Sequence, residues 1–259
     1  FPTRRSSDLD AIKEALNSDT ASTATIQMVN YWLISGLTTI ISMTSTLGAF
    51  GVMVSDREKK LSEDFKVSPV SNFKIELSYA IFAILFGIIM TMFSCIFAIG
   101  MFNGFSALLD YSMMDYLSIL GVVTMGTVLS ATIILPILAF IRTSSAFTTL
   151  STIVGTFIGF ISGVYLSIGS VGGSLQQVMT WFPLTQVNAL LKQILMKAAI
   201  SKVFDHAPST VITNYKESYG IILQNASGEH LSNHFMLAYL SIIIVVLLGV
   251  DLMIKKIKK

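Results

Sequence analysis

From Met28 to Val54 the chain carries no acidic, basic or histidine side chain, and that uninterrupted stretch limits the available folds more than any other feature. Residues 28–54, 27 in all, would rise about 40 Å as an α-helix, more than the roughly 30 Å of a bilayer's hydrocarbon core. Comparable apolar stretches predict spans over residues 77–102, 116–141, 146–170 and 235–254. The expected fold is therefore all-α: an integral membrane protein, a polytopic helix bundle of five spans. Only 12% of the residues are charged, about half the share in a soluble domain. Water is not the main solvent of this chain.

The polar segments between the spans set its orientation. Residues 55–76 hold Arg57, Lys59, Lys60, Lys66 and Lys74; Arg142 stands alone after the third span; Lys255, Lys256, Lys258 and Lys259 follow the last. The linker with Asp110 and Asp115 has no lysine or arginine. Because lysine and arginine are retained on the cytoplasmic side, the first three sets, including the C-terminus, are expected in the cytoplasm. Residues 171–234 are expected outside. Tyr31, Trp32, Tyr111, Tyr116, Trp181 and Tyr239 then fall near the outer boundary, as an aromatic belt does.

Residues 1–9 read as the conceptual translation of a sequencing adaptor and are set apart from fold reasoning. Residues 10–27 are expected to form an external polar segment, and 28–259 the transmembrane domain. Five spans with a cytoplasmic C-terminus require an external start, so about six spans are expected in the intact protein.

Some chemistries are disfavoured by what the spans contain. The first four have no ionisable group deep in the membrane, where an ion-coupled carrier needs one. Asp251 lies near the end of the last span within reach of Lys255, as an interfacial ion pair would. Cys95 is alone and suits a buried structural thiol. His230 and His234 are four apart, and His206 precedes them, but no cysteine lies near; solvated loop residues are expected and no metal site. The net charge of +2 and the short, scattered basic runs exclude a nucleic-acid partner.

Three segments stand out. Ser55-Asp56-Arg57-Glu58 matches a capping box, which predicts a short amphipathic helix that carries Leu61 and Phe65 on one face and stops at Ser68-Pro69. Gly155, Gly159 and Gly163 repeat every four residues and predict close helix packing, within the subunit in the first place and across a subunit interface as the alternative. Residues 143–191 hold no charge and are too short for two full spans with a normal loop. A fourth span is expected there, then a break at Gly172 and Gly173, then helical pieces at the interface.

A span followed by Asp56-Arg57-Glu58-Lys59-Lys60-Leu61, then Val67-Ser68-Pro69-Val70-Ser71 and another span, resembles the ABC-2 type permeases. In that family this run forms the coupling helix that docks on an ATPase subunit. The resemblance thus implies ATPase-coupling roles for Asp56, Arg57, Glu58, Lys59, Leu61, Phe65 and Pro69. The run Trp181-Phe182-Pro183-Leu184-Thr185-Gln186-Val187-Asn188-Ala189-Leu190-Leu191-Lys192 is similar to the family's external re-entrant element, which implies roles there for Trp181, Pro183 and Asn188. The chain departs from the pattern in lacking the first span and in carrying Lys59-Lys60 where many members have Lys-Gly.

The resemblance implies a permease subunit of an ATP-driven exporter, moving a hydrophobic or amphipathic substrate across a bacterial cytoplasmic membrane. Partners implied are an ABC ATPase subunit, a second permease in a homodimer or heterodimer, and membrane lipid. Gly169-Ser170-Val171-Gly172-Gly173-Ser174 lacks the lysine and spacing of a phosphate-binding loop. The chain is accordingly expected to bind no cofactor and to be no enzyme, with ATP-Mg held on the partner. The alternative is a membrane interaction or immunity protein that transports nothing.

Overall fold

The computed structural model describes residues 19–60, 71–205 and 207–257, with the side chains of 19–22 and Asn72 outside that description. Nine α-helices are present among the described residues, and no strand. They are α1 (Asp19–Glu58), α2 (Asn72–Asn103), α3 (Met113–Leu138), α4 (Ser144–Ile161), α5 (Gly173–Trp181), α6 (Pro183–Leu195), α7 (Lys197–Val203), α8 (Ser209–Ser218) and α9 (Asn233–Ile257). Five of these, α1, α2, α3, α4 and α9, are long and apolar enough to cross a membrane.

The helices differ in how much they bury. Over their most apolar stretches α1 and α3 bury 56% and 50%, α2 buries 28%, and α4 and α9 bury 11% each. The bundle is therefore organised around α1 and α3, with α6 packed against both, while α2, α4 and α9 turn most of their apolar surface outward. Lipid is as apolar as leucine, so such outward faces cost nothing in a bilayer and close packing depends on small residues and hydroxyls. The core follows that rule. Ser35, Thr38, Thr39, Ser42 and Thr46 line the buried face of α1, and each returns its hydroxyl to a carbonyl three or four residues back in the same helix. At Gly87 a Cβ would stand 2.5 Å from the Thr46 hydroxyl and 3.3 Å from Thr127 Cγ2, which brings α1, α2 and α3 together at one level.

Several helix ends differ from expectation. Among the described residues the first helix runs from Asp19, so the second half of the polar segment 10–27 is helical and continuous with the span. The fourth span, expected over 146–170, stops at Ile161, and the chain turns back through Gly163 at φ 67°. The glycine stripe is corrected with it. Gly163 lies beyond the helix, a Cβ on Gly155 would meet nothing within 4 Å, and one on Gly159 would strike the Tyr165 ring of the returning chain at 2.2 Å. Gly159 thus makes room for the turn after its own helix, and within this chain the three glycines form no face against another helix.

Candidate functional site

At one end of the bundle the last turn of α1 carries Asp56, Arg57 and Glu58, and each is bonded to a different helix. Asp56 accepts from the Tyr79 hydroxyl of α2 at 2.6 Å. Arg57 donates to the Leu138 carbonyl at the end of α3, 3.0 Å away, and stands 3.6 Å from Glu76 of α2. Glu58 accepts from the backbone N–H of Ser144, at 3.0 Å, and from its hydroxyl, so it caps the start of α4. Glu76 continues the network to α9 through Lys255 at 3.1 Å, and Lys255 also pairs with Asp251. One helical turn therefore holds the charged ends of α2, α3 and α4 directly and that of α9 through Glu76.

This geometry corrects the reading of Ser55. Ser55 lies inside α1, three residues before its end, and its carbonyl accepts from the Lys59 N–H at 3.0 Å, so no helix starts there and Ser55 has no orphan donors to cap. Glu58 reaches across to α4 and not back along its own helix. A capping box does occur, at Ser112 and Asp115, where the Ser112 hydroxyl accepts from the Asp115 N–H at 3.2 Å and Asp115 accepts from the Ser112 N–H at 3.0 Å. The α1 helix ends at Glu58, and of the turn residues Lys59 and Lys60 that follow, Lys60 takes φ 59°, the left-handed position that usually falls to glycine. Leu61, Phe65 and Pro69, and the short helix expected to carry them, lie outside the described residues.

The opposite end is built on α5 and α6. Phe182 precedes Pro183, which holds it extended and breaks the helix; Pro183 then opens α6. Trp181 accepts at its carbonyl from the Tyr239 hydroxyl, 2.7 Å away on α9. The α6 helix is buried on nearly every side, polar residues included. Those polar residues have a specific task. Thr185, Asn188 and Lys192 lie three and four residues apart, one above the other, and they donate to three successive carbonyls at the end of α4: Ile161 at 3.1 Å, Ser162 at 3.0 Å and Gly163 at 3.4 Å. An α-helix leaves its last carbonyls without partners, and in an apolar setting each must be satisfied. The polar stripe of α6 does this, which is why α4 can end early.

Lys192 has a second contact of the same kind. It donates at 2.9 Å to the carbonyl of Tyr219, which closes α8, and its ammonium lies 5.2 Å from the centre of the Trp32 ring. Two helix C-termini and an aromatic face thus surround the charge in place of a carboxylate. Burial pulls the amine down to about 7. The family resemblance ends its re-entrant run on Lys192 without giving it a role of its own, although it is the first charge after the 143–191 run, in step with Thr185 and Asn188. Among the other residues singled out, His230 pairs with Glu217 at 2.7 Å and His206 lies outside the described residues. No group of His, Cys, Asp or Glu among the described residues could hold a metal.

A bundle of five apolar helices, tied together at one end by the charged last turn of the first and closed at the other by a proline-broken helix pair, defines a multi-pass membrane protein. The family model described as ABC-2 family transporter protein matches residues 6–250, and the chain belongs to that family. It is the membrane domain of a permease subunit of an ABC transporter. No curated protein and no solved structure matches it.

Proposed function

We propose that this permease is an exporter subunit driven by a separate ABC ATPase that docks on the segment following α1, with the charged end in the cytoplasm. The observation that carries this reading is the bonding of Asp56, Arg57 and Glu58 to α2, α3 and α4. A push on the turn that follows them is delivered at once to every span at that end, which is what coupling between an ATPase and a transport path requires. Leu61 and Phe65, four apart in the sequence, supply the apolar contact for the ATPase, and Lys59 and Pro69 bound the segment.

Two permeases, identical or different, enclose the path in a bacterial cytoplasmic membrane. Apolar flanks without intramembrane charge on α2 and α4 favour a hydrophobic or amphipathic substrate. Trp181, Pro183 and Asn188 belong to the external re-entrant pair, which closes the outer end. ATP-Mg binds the partner, and this chain contributes no catalysis. Purification from its source membrane in mild detergent, followed by identification of bound subunits, tests the docking. An ABC ATPase in a fixed ratio to this chain is expected; its absence from complexes cross-linked before extraction would refute the reading.

A further inference from the structure

At the charged end, outside the Asp56 and Glu58 contacts, a cavity of about 680 Å³ opens between the start of α2, the turn after α3 and the end of α9. Arg57, Arg142, Lys255 and Lys256 line it. Glu76 lies among them and Asp251 beside Lys255, which leaves two positive charges in excess. Among the described residues neither Arg142 nor Lys256 has a carboxylate partner, and both are exposed. The N-terminus of α2 adds to this field. Its cap residue Ser71 lines the same cavity, makes no side-chain cap bond, and no acidic residue occupies the first turn. The cap and first turn of a helix of 32 residues thus border a cavity already rich in cations, an arrangement suited to a phosphate.

The remaining walls say what carries that phosphate. Phe73 and Leu252 line the cavity and are 53% and 51% exposed. They lie on α2 and α9, whose apolar flanks are mostly outward-facing. Cationic groups above and an apolar flank below match a phospholipid, with its headgroup among the lysines and arginines and its chains along α2 and α9. A soluble phosphate has no use for Phe73 and Leu252.

We infer that this cavity is a binding site for the headgroup of an anionic phospholipid. Arg142 and Lys256 supply the charges it neutralises, while Arg57 and Lys255 are already engaged within the bundle. Lipid bound there bridges α2 and α9 beside the turn that ties the spans together, so bilayer composition acts on the charged end directly.

The test is native mass spectrometry of the full chain in mild detergent, titrated with phosphatidylglycerol and, separately, with phosphatidylcholine. Preferential retention of phosphatidylglycerol is expected, and the double variant R142Q/K256Q should weaken it about thirtyfold, leaving phosphatidylcholine unaffected. The charge-keeping variant R142K/K256R should retain the lipid, which separates loss of charge from loss of fold. Equal retention of the two lipids by the parent, or undiminished phosphatidylglycerol on R142Q/K256Q, would overturn the site. Displacement of the lipid by millimolar inorganic phosphate would overturn the lipid assignment.

Discussion

The ammonium of Lys192 donates to the carbonyl oxygen of Tyr219 at 2.9 Å, and this bond joins the α5–α6 pair to the segment that follows it. The two residues are 27 apart in sequence, and the same ammonium reaches Gly163, so one side chain ties three separate turns of chain. Its position gives the protein a stability that depends on pH.

In the unfolded chain a lysine keeps its proton up to about 10.5, whereas the buried Lys192 amine releases it near 7. Between those values the unfolded state holds more protons, so raising pH favours the folded state. Below about 7 both states are protonated and the penalty is full and constant. Thermal unfolding in detergent should therefore move to higher temperature as pH rises from about 7 toward 10. Lys192→Met should remove that dependence, and an unchanged slope would show that the pH response arises elsewhere.

Asn188→Leu leaves the Ser162 carbonyl buried without its donor. The expected loss is about 1–3 kcal/mol, seen as a melting temperature lower by a few degrees. The unpartnered Asn188 Oδ1 is removed by the same change, which places the effect toward the lower end of that range. A fall of this size with the ATPase still bound would separate capping of α4 from docking at the other end.

Lys60→Gly tests the end of α1. A lysine at φ 59° bears a cost of about 1 kcal/mol that glycine escapes. Glycine gives back part of that through its freer unfolded chain. Stability equal to or slightly above the parent is expected in denaturant or thermal melts, and a clear loss would mean that the lysine side chain makes a contact worth more than the strain.

Two glycine substitutions should behave oppositely. At Gly169 a Cβ would stand 2.5 Å from the Ser218 backbone, which cannot move aside as a side-chain tip can, so Gly169→Ala should cost about 1–3 kcal/mol. At Gly155 a Cβ would meet nothing within 4 Å, and alanine favours the helix by roughly 1 kcal/mol. Melting of the isolated chain reads both. Gly155→Ala that spares the isolated chain but weakens the permease pair would locate the partner's surface on α4.

The spans and the membrane class were legible because a bilayer tolerates so few solutions: long uncharged stretches must be helices, and the charges between them mark their ends. The prominence of Asp56, Arg57 and Glu58 was legible too, since charged residues concentrate where chain leaves the apolar phase. Their bonding partners were not. Ser55-x-x-Glu58 satisfies the capping-box pattern within a helix already under way, and only tertiary structure shows Glu58 turned toward Ser144. The glycine stripe misled for a related reason. Periodicity presupposes that the helix continues, and α4 stops at Ile161. What lets it stop is the Thr185, Asn188 and Lys192 stripe on a helix 24 residues or more further along, and no local pattern within α4 reveals a cap supplied from that distance.

The most direct test of the account is transport in proteoliposomes containing this permease and its ATPase, comparing the parent with a variant in which Leu61 and Phe65 are both changed to Asp. The parent should move a lipophilic fluorescent substrate only when ATP is supplied. The variant should insert normally but transport no faster with ATP than without, because the apolar contact that passes force to Asp56, Arg57 and Glu58 is gone. ATP-dependent transport by the variant at the parent's rate would contradict the assignment of the segment after α1 as the place where the ATPase acts.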